Sequence, residues 1–275
     1  MTQNPTYLIN GSFDQSISPF DRGFAYGDGV FRTLAVKAGQ PIHWALHYQK
    51  LVEDCAAIGI VCPRAELLID DIKLLFAPHA EEVMVAKIII TRGEGERGYA
   101  IPSISTPTRI LIKSLLPSYA DALYVEGVTL HLCETRLSVQ PKLAGIKHLN
   151  RLENVIARSE WQDEMLFDGL LLDAQDHVIE CTMSNIFTRF GDELLTPDLS
   201  QNGVAGITRQ RILHLAKSLN LITKVQALPF THLLKADEVL ICNSLYGAFQ
   251  VTRILDKIWT PQPLANQIRS LLVHD

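Results

Sequence analysis

Four short segments of this 275-residue chain carry residue types that could hold an electrophile and an anion. The first is Gly145-Ile146-Lys147-His148-Leu149-Asn150-Arg151-Leu152-Glu153, where one lysine follows a glycine. A predicted helix comes next, with an apolar stripe at Leu149, Leu152, Val155 and Ile156. A lysine at such a helix mouth can act as a nucleophile and carry a Schiff base, because burial lowers the pKa of a compact ammonium and frees its amine. The second segment, Val178-Ile179-Glu180-Cys181-Thr182-Met183-Ser184-Asn185-Ile186-Phe187, sets Glu180 between apolar neighbours at a strand end. The third is Gly203-Val204-Ala205-Gly206-Ile207-Thr208-Arg209, with Gly206 just before a helix that runs on through Arg211, His214, Leu215 and Leu219. Unpaired N–H groups of Ile207 and Thr208 at that start, the helix dipole and the Thr208 hydroxyl suit a phosphate. In the fourth, Cys242-Asn243-Ser244-Leu245, Ser244 lies just past a strand and can add a second phosphate donor. Taken singly, each has an ordinary explanation: a solvated lysine, an edge-strand glutamate, a helix cap, a turn serine.

The elements that must position these groups are legible as two α/β units. A strand and turn at Leu8–Phe13 leads to a glycine-rich loop from Asp21 to Gly29 and a strand from Val30 to Val36. Trp44, Tyr48, Leu51, Cys55 and Ile58 recur at helical spacing before Gly59, and Leu68, Ile69, Ile72 and Phe76 mark a second helix over 65–76. Strands over 83–92 and 109–115 complete a first domain, residues 1–115; Pro117 and Ser118 mark a linker over 116–121. Residues 122–275 form a larger domain, holding Lys147, in which strands near 128–133, 170–173, 186–190, 224–227, 238–242 and 250–254 alternate with helices near 149–162, 207–219 and 264–273. The fold class is α+β, with a ligand expected in the cleft between the domains.

Composition narrows the partners. The chain is 47% hydrophobic and 20% charged, with a net charge of −5, which argues for a globular protein without a nucleic-acid footprint. Its longest apolar runs are broken by charge well short of a membrane span. The start, Met1 to Pro5, lacks the basic and apolar regions of a signal peptide. Five scattered cysteines read as buried thiols of a cytoplasmic protein. His43 and His47 have no acidic or cysteine partner nearby in sequence, so no metal is expected.

A lysine, an acid for a pyridine nitrogen and donors for a phosphate are what pyridoxal phosphate (PLP) chemistry requires. Lys147, Glu180, Gly206-Ile207-Thr208 and Ser244 resemble, in order and spacing, the fold-type IV PLP enzymes, and the loop Asp21-Arg22-Gly23 to Tyr26-Gly27-Asp28-Gly29 extends the likeness over nearly the whole chain. The resemblance implies that fold, PLP as cofactor and a homodimer. Within the family it is closest to the aminodeoxychorismate lyases of folate synthesis, which implies aminodeoxychorismate as the small-molecule substrate. The segment after Lys147 lacks the small-residue run ending in Asn-Tyr usual in branched-chain aminotransferases. Arg92-Gly93-Glu94-Gly95-Glu96-Arg97-Gly98-Tyr99 has Tyr99 where D-amino-acid aminotransferases carry a histidine. An aminotransferase acting on D- or branched-chain amino acids is the alternative. Arg97, Tyr99 and Tyr26 are the implied substrate contacts. Two positions depart from the pattern: Lys50 stands where the family has a phosphate-binding arginine, and Ala35 where many relatives have an arginine. Arg32 lies three residues before Ala35, on the opposite face of a strand.

Overall fold

The computed structural model describes residues 6–79 and 82–274, which divide into two units. In chain order the strands are β1 (Tyr7–Ile9), β2 (Gly29–Lys37), β3 (Gln40–Pro41), β4 (Val83–Thr91), β5 (Arg109–Leu115), β6 (Val128–Leu137), β7 (Leu166–Asp173), β8 (Val178–Cys181), β9 (Asn185–Phe190), β10 (Glu193–Pro197), β11 (Ile222–Gln226), β12 (Glu238–Asn243), β13 (Gly247–Ile254) and β14 (Lys257–Ile258). The helices are α1 (Arg22–Tyr26), α2 (Trp44–Ala57), α3 (Ala65–Phe76), α4 (Asp121–Val125), α5 (Leu152–Arg158), α6 (Ile207–Leu215), α7 (Phe230–Leu233) and α8 (Leu264–His274).

The first unit takes the chain up to Pro117 together with Ile146–Asn150. Its antiparallel sheet runs β1-β5-β4-β2-β3. Alternate residues of β2 and β4, among them Val30, Leu34, Val36, Met84, Ala86, Ile88 and Ile90, turn one face of this sheet to α2 and α3 around Leu51, Ile72 and Phe76. β3 covers only Val36 and Lys37 of β2. Residues 147–149 close the other end of that edge: Phe31 N–H donates to the Lys147 carbonyl (2.9 Å) and Leu149 N–H to the Gly29 carbonyl (2.9 Å). Gly29 is needed there, because a Cβ would stand 2.8 Å from Leu149 Cδ1 and 2.6 Å from the Ile90 carbonyl oxygen.

This pairing corrects two expectations. Lys147, read as part of the larger domain, packs with the first unit. The helix read over 149–162 starts only at Leu152 and ends at Arg158, because 147–149 are drawn out as extended chain. The apolar stripe of α5 is not buried within the chain: Leu152, Val155 and Ile156 are 68%, 61% and 49% exposed.

The second unit, Ser118–Gly145 with Arg151 onward, carries a mixed sheet in the order β11-β10-β9-β12-β13-β6-β7-β8. It is buried on both faces, which explains why β12 reads as a continuous apolar run rather than an alternation. Val239 and Ile241 face a core with Phe249 and Trp259, whereas Leu240 and Cys242 face α6 and α8. All five cysteines are free thiols, and no helix among the described residues is long and apolar enough to cross a membrane.

In the first unit a charged clasp holds the glycine-rich loop. Asp28 accepts from Arg22 Nε (2.9 Å), Arg92 Nε (2.7 Å) and Arg92 Nη2 (3.0 Å). Arg92 also donates to the carbonyls of Ile58 (2.6 Å) and Gly59 (2.7 Å) at the end of α2. Burial pushes the Asp28 carboxyl up, but the bonds and charges of Arg92 and Arg22 outweigh it and hold it below its ordinary value. A carboxyl depressed on folding contributes stability above its unfolded pKa of about 3.9 and loses it as pH falls through the folded value. Asp28→Asn is therefore expected to flatten the loss of stability on acidification below about pH 5, measured as urea midpoints against pH; an acid limb parallel to the wild type would contradict this.

Candidate active site

Lys147 is placed by its backbone before its side chain. Its carbonyl is bound by Phe31 and its N–H donates to Asp54 Oδ2 (3.2 Å), while the ammonium lies 4.7 Å from the centre of the Phe31 ring. The lysine is half-buried. Asp54, on α2 and 1% exposed, also pairs with Arg32 and with Lys50. Lys50, expected at a phosphate, is one turn before Asp54 on the same helix, and its ammonium is bonded to that carboxylate. Arg32 lies on the buried face of β2 with Val30 and Leu34, and Ala35 shares the other face with Phe31. Arg32 is thus tied to Asp54 and does not substitute for an arginine at Ala35.

The expected substrate residues sit on a loop after β4 that α1 supports. Asp21 caps α1 by accepting from Gly23 N–H (2.8 Å), and Thr91 Oγ1 donates to the same carboxylate (2.8 Å). Arg22 Nη1 then reaches the Gly98 carbonyl (3.0 Å), and Gly98 N–H donates to Tyr26 Oη (3.1 Å). Tyr26 and Tyr99 meet with ring centres 5.4 Å apart. Arg97 and Tyr99 are both exposed in the chain.

The second unit holds the expected acid and the expected phosphate residues. Glu180 is buried in β8, opposite Leu171 of β7, and its Oε2 accepts from Val204 N–H (2.8 Å). Gly203 has φ +76°, and a Cβ there would stand 2.8 Å from Ile179 Cγ2, so the loop reaches Glu180 only as glycine. The same loop is fastened to Gly145, whose N–H donates to the Gly203 carbonyl (2.9 Å) and whose carbonyl accepts from Ala205 N–H (3.1 Å). Asn185 completes the turn into α6: it donates to the Val204 carbonyl (2.7 Å) and accepts from Gly206 N–H (3.1 Å). Thr208 Oγ1 lies 3.4 Å from Ser244 Oγ, so the two expected phosphate hydroxyls are neighbours at the start of α6.

Sequence reasoning missed Asp54 and left Asn185 without a role. Asp54 had one sequence signal, its position four residues after Lys50. Elsewhere in this unit His131, Cys133 and Glu160 bring ligand-type atoms within 4.8 Å of one another. The Glu160 carboxylate there already accepts from Glu134 N–H (2.7 Å), Thr135 N–H (2.9 Å) and Thr135 Oγ1 (2.6 Å), which makes it a lock on β6.

The amino-transferase class IV family model matches residues 29–254, and the chain belongs to that family. It is 37% identical over 248 residues to the aminodeoxychorismate lyase of Vibrio harveyi, covering 90% of this chain and 91% of that one. The crystal structure of 4-amino-4-deoxychorismate lyase from Pseudomonas aeruginosa superposes with a TM-score of 0.92 at 39% identity, covering 98% of each chain. A putative branched-chain-amino-acid aminotransferase of Methanocaldococcus jannaschii is 28% identical over 242 residues, 86% of this chain and 83% of that one.

Asp54→Ala is expected to destabilise the first unit by about 3–5 kcal/mol, because it leaves the buried Arg32 guanidinium without its counter-charge. Urea unfolding of the purified variant measures this. A midpoint equal to the wild type would show that Asp54 does not hold the Lys147 segment in place.

Proposed function

We propose that this chain is a PLP-dependent 4-amino-4-deoxychorismate lyase that releases p-aminobenzoate and pyruvate in folate biosynthesis. The observation that carries the reading is the whole-length likeness to two such lyases. The family to which the chain belongs uses PLP. The residues fit it: a buried acid on β8, two neighbouring hydroxyls, and a glycine-started helix where a Cβ on Gly206 would strike Asn185 Oδ1 at 2.3 Å. Bound PLP supplies a ring that withdraws electrons from the substrate carbon. Lys147 is the residue that would hold the cofactor, through Nζ, and its amine would be the base for the proton on the amine-bearing ring carbon. Glu180 holds the pyridine nitrogen protonated, and its second task of accepting from Val204 keeps it oriented. Ile207, Thr208 and Ser244 would hold the phosphate; Lys50, which stands at the position of the family's arginine, has its ammonium bonded to Asp54 and would add charge only from there. Loss of the enolpyruvyl group leaves an aromatic ring, which drives the step forward.

Arg97 binds a substrate carboxylate, with Tyr99 and Tyr26 lining the substrate. The protein works as a cytoplasmic homodimer. The exposed apolar row Leu152, Val155 and Ile156 supports a second copy as its cover, and the free thiols fit a reducing compartment.

Incubation with aminodeoxychorismate is expected to yield p-aminobenzoate and pyruvate in equal amounts. Transamination of D-alanine with no p-aminobenzoate released would overturn the lyase reading in favour of an aminotransferase. Borohydride treatment should fix a pyridoxyl group on Lys147, and Glu180→Gln should keep PLP bound while slowing turnover severely, because an amide cannot hold the ring nitrogen protonated. A pyridoxyl group mapped to Lys142 or Lys87, or near wild-type turnover in the Gln variant, would remove those assignments. Arg97→Ala should raise KM for aminodeoxychorismate roughly ten- to a hundredfold, the loss of one charged hydrogen bond, and leave PLP affinity as it was. An unchanged KM would return Arg97 to the solvated surface.

A further inference from the structure

Asp168 is a fully buried carboxylate near the start of β7, and two of its donors, Thr182 and Ser184, lie on the turn just after Glu180. Thr182 Oγ1 donates to Oδ1 (2.6 Å), Gly169 N–H to Oδ1 (2.8 Å) and Ser184 Oγ to Oδ2 (2.6 Å). Ser184 Oγ is in turn 2.5 Å from Tyr246 Oη. With Asp168 as the terminal acceptor, the chain has one polarity: Tyr246 donates to Ser184 and Ser184 to Asp168. Thr182 and Ser184 follow Glu180 by two and four residues, Asn185 comes next, and Tyr246 follows Ser244 by two. Asn243 adds a clamp on the second turn, accepting from Leu245 N–H (2.9 Å) and Tyr246 N–H (3.2 Å). Tyr246 itself is packed, its ring centre 4.4 Å from that of Phe249.

A site that needed only stability would do as well with apolar residues of the same volume, since desolvating a carboxylate is costly. What a buried anion with several directed donors adds is geometry: the donors can satisfy it in one arrangement only, and the low dielectric enforces that arrangement. We propose that Asp168 is a positioning residue of the cofactor site, which through Ser184 and Tyr246 fixes the turn after Glu180 against the turn that carries Ser244. This rests on the PLP reading of the preceding subsection. The network sets the spacing between the acid for the ring and the hydroxyl for the phosphate.

The test is titration of apoprotein with PLP, read by fluorescence quenching and by the visible band of bound cofactor, alongside circular dichroism and thermal melting of the apoprotein. Asp168→Asn keeps the shape but replaces one acceptor oxygen with a donor. It is expected to weaken PLP binding roughly tenfold or more, the scale seen when outer partners of a ligand set are removed, and to shift the visible band. Tyr246→Phe and Ser184→Ala should weaken binding in the same direction, and the double variant Asp168→Asn/Ser184→Ala should lose no more than Asp168→Asn alone. If Asp168→Asn does not fold, Tyr246→Phe, which keeps the ring and loses only the hydroxyl, decides. PLP affinity and band position equal to wild type in the folded variants would overturn the positioning role while leaving the cofactor reading intact. Wild-type protein that takes up no PLP would overturn that reading and this proposal with it.

Discussion

The upper edge of β2 is left open by a very short β3, and the backbone around Lys147 fills it. An unpaired strand edge is an unsatisfied row of donors and acceptors, so closing it with 147–149 satisfies the sheet and fixes the lysine at once. Lys147 is held by main-chain bonds on both sides of its Cα, with Phe31 beneath the ammonium and Asp54 on its own amide. A lysine on a free loop would lose far more rotational freedom on each engagement with a cofactor.

Buried carboxylates are satisfied both by cations and by neutral donors. In the first unit, buried carboxylates are balanced by cations: Asp54 by Arg32 and Lys50, Asp28 by Arg22 and Arg92. In the second, Asp168 is satisfied by hydroxyl and amide donors, Glu238 by Arg189, and Glu180 accepts from the Val204 amide. Neutral donors orient a carboxylate without cancelling its charge. Pairing with arginine suits Asp54 and Asp28, whose work is to fasten α2 and the glycine-rich loop.

Arg97 and Tyr99 stand on a loop whose base is rigid and whose tip is exposed. Arg22 and Tyr26 bind the backbone at Gly98. This is the usual division between a scaffold and the loop it presents.

By itself the sequence determined much of the local order. The 3.6-residue periodicities of α2 and α3 come from burial on one face, which a linear pattern records directly. The lysine, glutamate, glycine-helix and serine segments were readable because each needs a residue type with few substitutes. What only the tertiary structure decided were the relations across long separations. Periodicity extended α5 back to Leu149, but a strand edge more than a hundred residues earlier claimed that residue first. The strand β8, four residues ending in the Glu180 turn, is too short to announce itself by alternation. Lys50 was legible as a cation, but not as one bonded to Asp54, and Asp168 and Tyr246 were ordinary letters until β7, β9 and β13 brought them to one serine. Side-chain identity is local information; which buried charge meets which donor is a property of how the sheets are assembled.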